Sequence, residues 1–303
     1  MAIVNSEILT KLRTTIRGEF NDALQKLRPE SFYNKVATTI PSGSGSNTYG
    51  FLGSFPKFRK WSGQRELGSV KEGAYTLQNE PYESTLEVLR TDIEDDNLGV
   101  YRVLTQSEAQ AGIDFLNVNT AALLSSGDKT LCHDGQNFFD AEHKVYAKAD
   151  GTGATSNVSN IYGEGTGKAW FLLDLSKSLK PLLIQERTPF EIDNKIDPKD
   201  EHAFMYNKYL FGAYWRGAFG YGHWQQALMS KTDLTADNFA KAYAQMRNIT
   251  RDGGDKMGIK PTHMIVPPDL QSEAESIIKV AITTGGAGNI HYNKVEIIVC
   301  DWL

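Results

Sequence analysis

Between Cys132 and His143 the chain sets one cysteine, two histidines, two aspartates and one glutamate within twelve residues: Cys132, His133, Asp134, Asp140, Glu142 and His143. These side chains supply metal ligands, general acids and bases, and a thiol nucleophile. The stretch therefore has the composition of a metal-dependent hydrolase centred on His133, Asp134, Asp140 and His143. Its spacing argues otherwise. A zinc site draws three or four ligands to about 2.0–2.3 Å, usually from spaced pairs such as C-x-x-C or H-x-x-x-H. Cys132 and His133 are adjacent, so their side chains tend to diverge, and no H-E-x-x-H or second cysteine pair exists. The other histidines, His202, His223, His263 and His291, are scattered. Nothing marks an oxyanion hole for a Cys132–His pair. Asp134-Gly135 and Asp140 read better as turn formers around a buried Phe138–Phe139 pair.

Other motifs also fall short. Gly163-Glu164-Gly165-Thr166-Gly167-Lys168 has the look of a phosphate loop, but position 162 is Tyr and position 169 is Ala, so the spacing and the magnesium hydroxyl are both missing. Gly217, Gly220 and Gly222 do not make G-x-G-x-x-G. Ser44 lies in a linker and forms no nucleophile elbow. No catalytic, cofactor-binding or metal-ligating residue is expected, and the function is then architectural.

Composition fits a soluble, folded chain. The 303 residues suffice for one large domain or two ordinary ones. Hydrophobic residues at 40% and charged residues at 23% exclude wholesale disorder. A net charge of −5 gives no global drive toward nucleic acid or an anionic membrane. Two cysteines, Cys132 and Cys300, make no disulfide scaffold and favour a reducing compartment. No signal peptide is expected, and no apolar stretch approaches the ~20 residues of a membrane span.

Periodicity places the elements. Ile8, Leu12, Ile16, Phe20 and Leu24 recur every four residues, with Ser6 as a cap and Pro29 as the stop. This amphipathic helix, joined by the Ser42–Ser46 linker, reads as an arm whose stripe needs a partner or as a helix packed on its own core. Residues 49–89 have β character with little core. There the basic and aromatic Phe55, Lys57, Phe58, Arg59, Lys60, Trp61 and Arg65 face Glu66, Glu72, Glu80, Glu83 and Glu87, a mixture that suits a protein partner better than phosphate. A helix over 97–126 follows, opened by Glu94, Asp95 and Asp96 and closed by Gly127. Its stripe is read as Leu98, Tyr101, Leu104, Ala111, Phe115, Val118 and Ala122, and its length of about 45 Å is that of a beam. Strands are expected at 170–173, 182–184 and within 204–228. An α/β block closes the chain: helix 237–248, strand 263–266, helix 272–280 and strand 295–299.

Several segments resemble, in order and spacing, the major head (capsid) subunits of Mu-like transposable phages and prophages. They are Asn47–Gly53, Glu94–Gly99, Asp134–Asp140, Leu210–Ala213 with Gly220–Gly222, and Lys260–His263. The resemblance implies an α+β chain of the Hong Kong phage-type shell fold. Its parts would be an N-terminal arm at 1–48, an extended β-hairpin loop at 49–85, a peripheral domain at 86–170 and 205–232 with spine helix 97–126, and an axial domain at 171–204 and 233–303. One departure is that the α/β block after Asp233 follows the long strands instead of preceding them.

The implied function is a major capsid protein, forming hexamers and pentamers of an icosahedral phage head around double-stranded DNA. An encapsulin-like compartment shares the fold and is the alternative, ahead of the hydrolase. The implied partners are further copies of the chain, a portal, a separate scaffold and protease, decoration proteins, and packaged DNA held non-specifically, with no membrane. Assembly is expected in the bacterial host cytoplasm and residence in the virion capsid. The contact candidates are Lys57, Phe58, Arg59, Lys60, Trp61 and Arg65 on the loop, with Ile8, Leu12, Ile16 and Phe20 on the arm.

Overall fold

A computed structural model describes residues 6–53, 75–94, 98–148, 151–197, 200–283 and 285–303. Helix α1 (Ser6–Leu27) leads through a short turn into α2 (Phe32–Val36) and strand β1 (Ala37–Pro41). Strand β2 (Ser46–Thr48) leaves toward the loop, and β3 (Thr76–Gln78) returns antiparallel to it, followed by β4 (Glu80–Leu89). Next come α3 (Arg90–Glu94) and the long α4 (Leu98–Ser126). Four short strands follow: β5 (His143–Tyr146), β6 (Thr155–Val158), β7 (Ile161–Tyr162) and β8 (Trp170–Leu173). The 14-residue strands β9 (Leu182–Lys195) and β10 (Lys208–Tyr221) enclose α5 (Glu201–Tyr206). The chain ends with β11 (Ala227–Ser230), α6 (Ala236–Arg247), β12 (His263–Val266), α7 (Gln271–Ile278) and β13 (Glu296–Val299).

Two principal sheets result. The first has the order β1-β9-β10-β4, and the second has the order β13-β12-β8-β11-β7. In β10, Tyr209, Phe211, Ala213 and Trp215 are buried in strict alternation, the period-two pattern of a sheet with one covered face. One continuous apolar core runs from α1 through both sheets to Cys300. No helix among the described residues is long and apolar enough to cross a membrane.

Helix α1 lies along α4. Leu12, Ile16, Phe20 and Leu24, at most 5% exposed, are covered by the chain itself. Of the two sequence readings, the helix packed on its own core is the one observed. Leu12, Ile16 and Phe20 are not free to meet a neighbouring subunit in this conformation, because their stripe is already filled. The side chain of Ile8 lies outside the described residues.

Helix α4 occupies 98–126 as expected, while Asp95–Asn97 lie outside the described residues. Its expected stripe was out of phase. The buried face is Thr105, Ala109, Ile113, Leu116, Thr120 and Leu124, whereas Leu104 and Val118 are exposed. Polar side chains on the covered face hid it. Thr120 is satisfied by the Leu116 carbonyl at 2.7 Å, and Asn117 Oδ1 accepts from the Tyr33 amide at 3.0 Å. On another side Phe115 meets Tyr82, Trp215 and Phe219 of the first sheet. The helix ends before Gly127 without a left-handed residue there. A Cβ at that position would stand 2.6 Å from the Phe139 ring, so close approach is what requires glycine.

Sheet membership redraws the expected divisions. Strand β9, placed in the axial block 171–204, pairs along its length with β10 in the first sheet. Strands β7 and β11, placed in the peripheral block 86–170 and 205–232, belong to the second sheet with β8, β12 and β13. The loop expected to run to residue 85 closes at Gln78, because Glu80–Leu89 pairs with β10. Only Leu182–Ile184 of β9 is a continuous apolar run. The rest alternates, which short-run reading treats as connector.

Candidate functional site

The cluster from Cys132 to His143 forms a tight loop. Gly135, at φ +82°, allows its amide to donate to the Cys132 carbonyl at 3.1 Å, and the Cys132 amide donates to the Gln136 carbonyl at 2.8 Å. This turns the Asp134 carboxylate inward. Asp134 Oδ1 accepts from the Cys132 thiol at 3.2 Å and the Gln136 amide at 3.0 Å, and Asp134 Oδ2 meets His143 Nδ1 at 2.7 Å. His143 is fully buried, stacks on Trp224 at 3.8 Å, and sets its Nε2 3.3 Å from the Phe138 carbonyl.

Asp134, Asp140 and His143 of the proposed hydrolase set already bond to other groups. Burial alone would raise the Asp134 carboxyl, but the His143 hydrogen bond and charge outweigh it and hold the group at about 2. Burial pushes the Cys132 thiol well above its ordinary range, away from the thiolate that metal binding and attack require. Ligand atoms of Cys132, His133 and Asp134 do lie within 4.8 Å of one another, yet the thiol and carboxylate already bond to each other. Asp140 Oδ1 accepts from the Glu142 amide at 2.9 Å in a local turn. The arrangement is a structural joint.

The joint ties α4 to both sheets. Phe138 stacks on Tyr221 at 4.4 Å, and the Tyr221 hydroxyl donates to the Leu123 carbonyl at 2.8 Å. Phe139 packs near Phe171, and its amide donates to the Gly127 carbonyl at 2.8 Å. Fully buried Asn160 donates to the Phe138 and Trp224 carbonyls and accepts from the Asp140 amide at 2.8 Å. Beside it the rings of His133 and His223 lie 6.0 Å apart, and burial depresses His223 to about 4.

A second site sits where the loop leaves the first sheet. Gln185 of β9 is fully buried; its Oε1 accepts from the Tyr49 hydroxyl at 2.6 Å, and its Nε2 donates to Asn79 Oδ1 at 2.6 Å and the Leu77 carbonyl at 3.2 Å. Asn79 Nδ2 donates onward to Ser42 Oγ at 3.0 Å and the Ser44 carbonyl at 2.9 Å. Tyr49, Leu52 and Leu77 pack on Leu183 and Ala218 around this network. Both legs of the loop are thus fastened to one strand. Sequence reading missed Gln185, although an amide directly after Leu182-Leu183-Ile184 signals a polar group placed in a core. The candidates Lys57, Phe58, Arg59, Lys60, Trp61 and Arg65 lie outside the described residues, between those two legs.

Comparison with known proteins sets this geometry in context. The family described as Mu-like prophage major head subunit gpT matches residues 9–303. The major capsid protein of Escherichia phage Mu is 39% identical over 306 residues, spanning 99% of this chain and 100% of that protein. The Mu-like prophage FluMu major head subunit of Haemophilus influenzae is 40% identical over 286 residues, covering 92% and 91% of the two chains. Among solved structures, a subunit of the bacteriophage JBD30 procapsid superposes with a TM-score of 0.88 at 42% identity over 99% of this chain and 100% of that one. A subunit of the JBD30 capsid decorated with minor capsid protein trimers gives 0.72 at 32% identity, covering 90% and 91%.

Proposed function

The chain belongs to the Mu-like prophage major head subunits, and from that premise we propose how this capsid protein builds its shell. Copies form hexamers and pentamers that close into an icosahedral head around double-stranded DNA. Closed symmetry multiplies modest contacts into a stable assembly. The observation that carries this reading is the full-length superposition on a procapsid subunit at a TM-score of 0.88. The lower score of 0.72 against a decorated capsid supports the described conformation as that of the subunit before maturation.

The loop leaving at Thr48 and returning at Thr76 reaches a neighbouring subunit, with Lys57, Arg59, Lys60 and Arg65 meeting acidic surface and Phe58 and Trp61 as apolar anchors. The pinned root at Gln185 supports this reading, because an assembling loop needs a fixed take-off. A portal, a separate scaffold and protease, and packaged DNA held non-specifically complete the head, which assembles in the host cytoplasm. Minor capsid protein trimers decorate the JBD30 capsid, and equivalent decoration is proposed here. Reversing Lys57, Arg59 and Lys60 to glutamate tests the loop. Loss of closed shells from soluble subunits is expected, and wild-type shell yield would remove the loop from the account.

A further inference from the structure

Two short connectors join the sheets: 174–181 runs from β8 to β9, and 222–226 runs from β10 to β11. They are tied to each other. The Asp174 amide donates to the Gln226 carbonyl at 2.9 Å, and the Gly222 amide donates to the Pro181 carbonyl at 2.8 Å. Connector 174–181 also has a clamp at each end. Beside the second sheet, Asp174 is fully buried and accepts from the Ser176 amide and the Lys260 amide, each at 3.0 Å. There Thr262 Oγ1 accepts from the Leu175 amide at 2.9 Å. Beside the first sheet, the Lys180 amide donates to Thr38 Oγ1 of β1 at 2.9 Å, and its ammonium donates to the Asn34 carbonyl of α2.

His263, the first residue of β12, stands between these clamps. Its Nδ1 lies 2.8 Å from Thr262 Oγ1, and its Nε2 lies 3.3 Å from Glu296 Oε2 of β13. The charged groups that act on the ring are Glu296, Lys180 and Asp174. The Thr262 hydroxyl can serve the ring in either protonation state. It donates to Nδ1 of the neutral imidazole, whose Nε2–H then points at Glu296. When the ring takes a second proton, Nδ1–H donates to Oγ1, and the hydroxyl hydrogen turns to the Leu173 carbonyl 3.2 Å away. Every donor keeps an acceptor in both states. What changes is charge, and the new charge stands against that of Lys180. Burial holds His263 below its ordinary value against the pull of Glu296, and Lys180 lowers it further.

We propose that His263 is a proton-operated latch on the crossing between the sheets. Neutral, it lets Lys180 grip α2 and β1; protonated, it repels Lys180 and frees that end of the connector. The coupling is reciprocal, because the repulsion that weakens proton binding at His263 also weakens the grip of Lys180 once the proton is bound. Its sign follows. The gripped form holds His263 below 6.5 and release lets it return toward that value, so the grip is intact above 6.5 and weakens as pH falls through the folded value. The Asp174 clamp depends on backbone amides and Ser176, so it keeps its hold. This device goes beyond the shell reading and does not depend on it.

The test is a histidine titration by nuclear magnetic resonance on the full-length protein, followed by amide exchange one pH unit above and below the His263 midpoint. Lys180→Met should raise that midpoint by about half a pH unit, a threefold gain in proton affinity, and Glu296→Gln should lower it by a similar amount. In the wild type, protection of the Lys180 amide, corrected for the intrinsic exchange rate, should fall severalfold below the midpoint while that of Asp174 stays level. His263→Gln, which keeps a neutral polar side chain, should abolish the fall. A midpoint that Lys180→Met leaves in place overturns the proposal, as does the same fall in His263→Gln. Equal Lys180 protection on both sides of the midpoint also overturns it, and that comparison needs only the wild type.

Discussion

His143 Nδ1 lies 2.7 Å from Asp134 Oδ2, and that contact closes the joint between the end of α4 and the two sheets. His143 is fully buried on Trp224 while Asp134 keeps partial contact with solvent, so His143→Ala chiefly opens a hole beside Trp224 and takes away one partner of Asp134. It should destabilise the subunit by about 2–3 kcal/mol in urea unfolding. A chelator should leave the wild-type midpoint unchanged. Stoichiometric zinc, lost on His143→Ala, would revive the hydrolase reading. The Asp134 carboxyl also sets an acid limit. Its folded value of about 2 is below the ordinary 3.8, so the unfolded chain takes up the proton first on acidification. The stability it contributes is complete above about pH 4 and is lost as pH falls toward 2.

His223 acts in a milder range. Burial holds it neutral, with a folded value near 4 against an ordinary 6.5. Between those limits the unfolded chain binds the proton and the folded chain does not, so stability falls as pH drops from 6.5 to 4, by up to about 3 kcal/mol. His223→Gln should flatten that part of the stability–pH curve. An unchanged slope would show that His223 is not the titrating group.

Gln185→Leu tests the loop root. It takes the Gln185 amide away from Asn79 Oδ1 and removes one partner of the Tyr49 hydroxyl in a buried site, where an unsatisfied group costs about 1–3 kcal/mol. Trypsin should then cut at Lys57, Arg59, Lys60 or Arg65 several-fold faster, with the global unfolding midpoint shifted much less. Equal cleavage rates in variant and wild type would argue that the network does not hold the loop.

The arm now carries a different expectation from the one its sequence suggests. Deleting residues 1–28 removes Leu12, Ile16, Phe20 and Leu24 from the core and uncovers the side of α4 along which α1 lies. Each lost apolar side chain costs about 1.5–3 kcal/mol, so the truncated chain should be largely unfolded or insoluble. A stable, monomeric truncated subunit, by circular dichroism and sedimentation, would restore the detachable arm.

What was legible in the sequence follows from how local each signal is. The stripe at Leu12, Ile16, Phe20 and Leu24 was plain, because one apolar face at helical spacing needs no knowledge of what covers it. The partner of that face was not legible, since own core and neighbouring subunit impose the same pattern. Helix α4 was placed correctly in length but not in rotation. A helix covered on two sides, with Thr105, Asn117 and Thr120 inside, shows little amphipathic contrast. Strand β9 was half seen because only Leu182–Ile184 is continuously apolar. The cluster at Cys132–His143 was rightly read as a turn around Phe138 and Phe139. Its Asp134–His143 contact spans nine residues and depends on the turn at Gly135, so spacing alone did not show it. Gln185, which joins Tyr49 and Asn79, lies 136 and 106 residues from them, beyond any local pattern.

The most direct test of the central claim is electron microscopy of the purified full-length protein under assembly conditions. Closed shells of uniform diameter, built from hexamers and pentamers, are the predicted result. Uniform small particles that never close, at any subunit or salt concentration and with scaffold supplied, would contradict it.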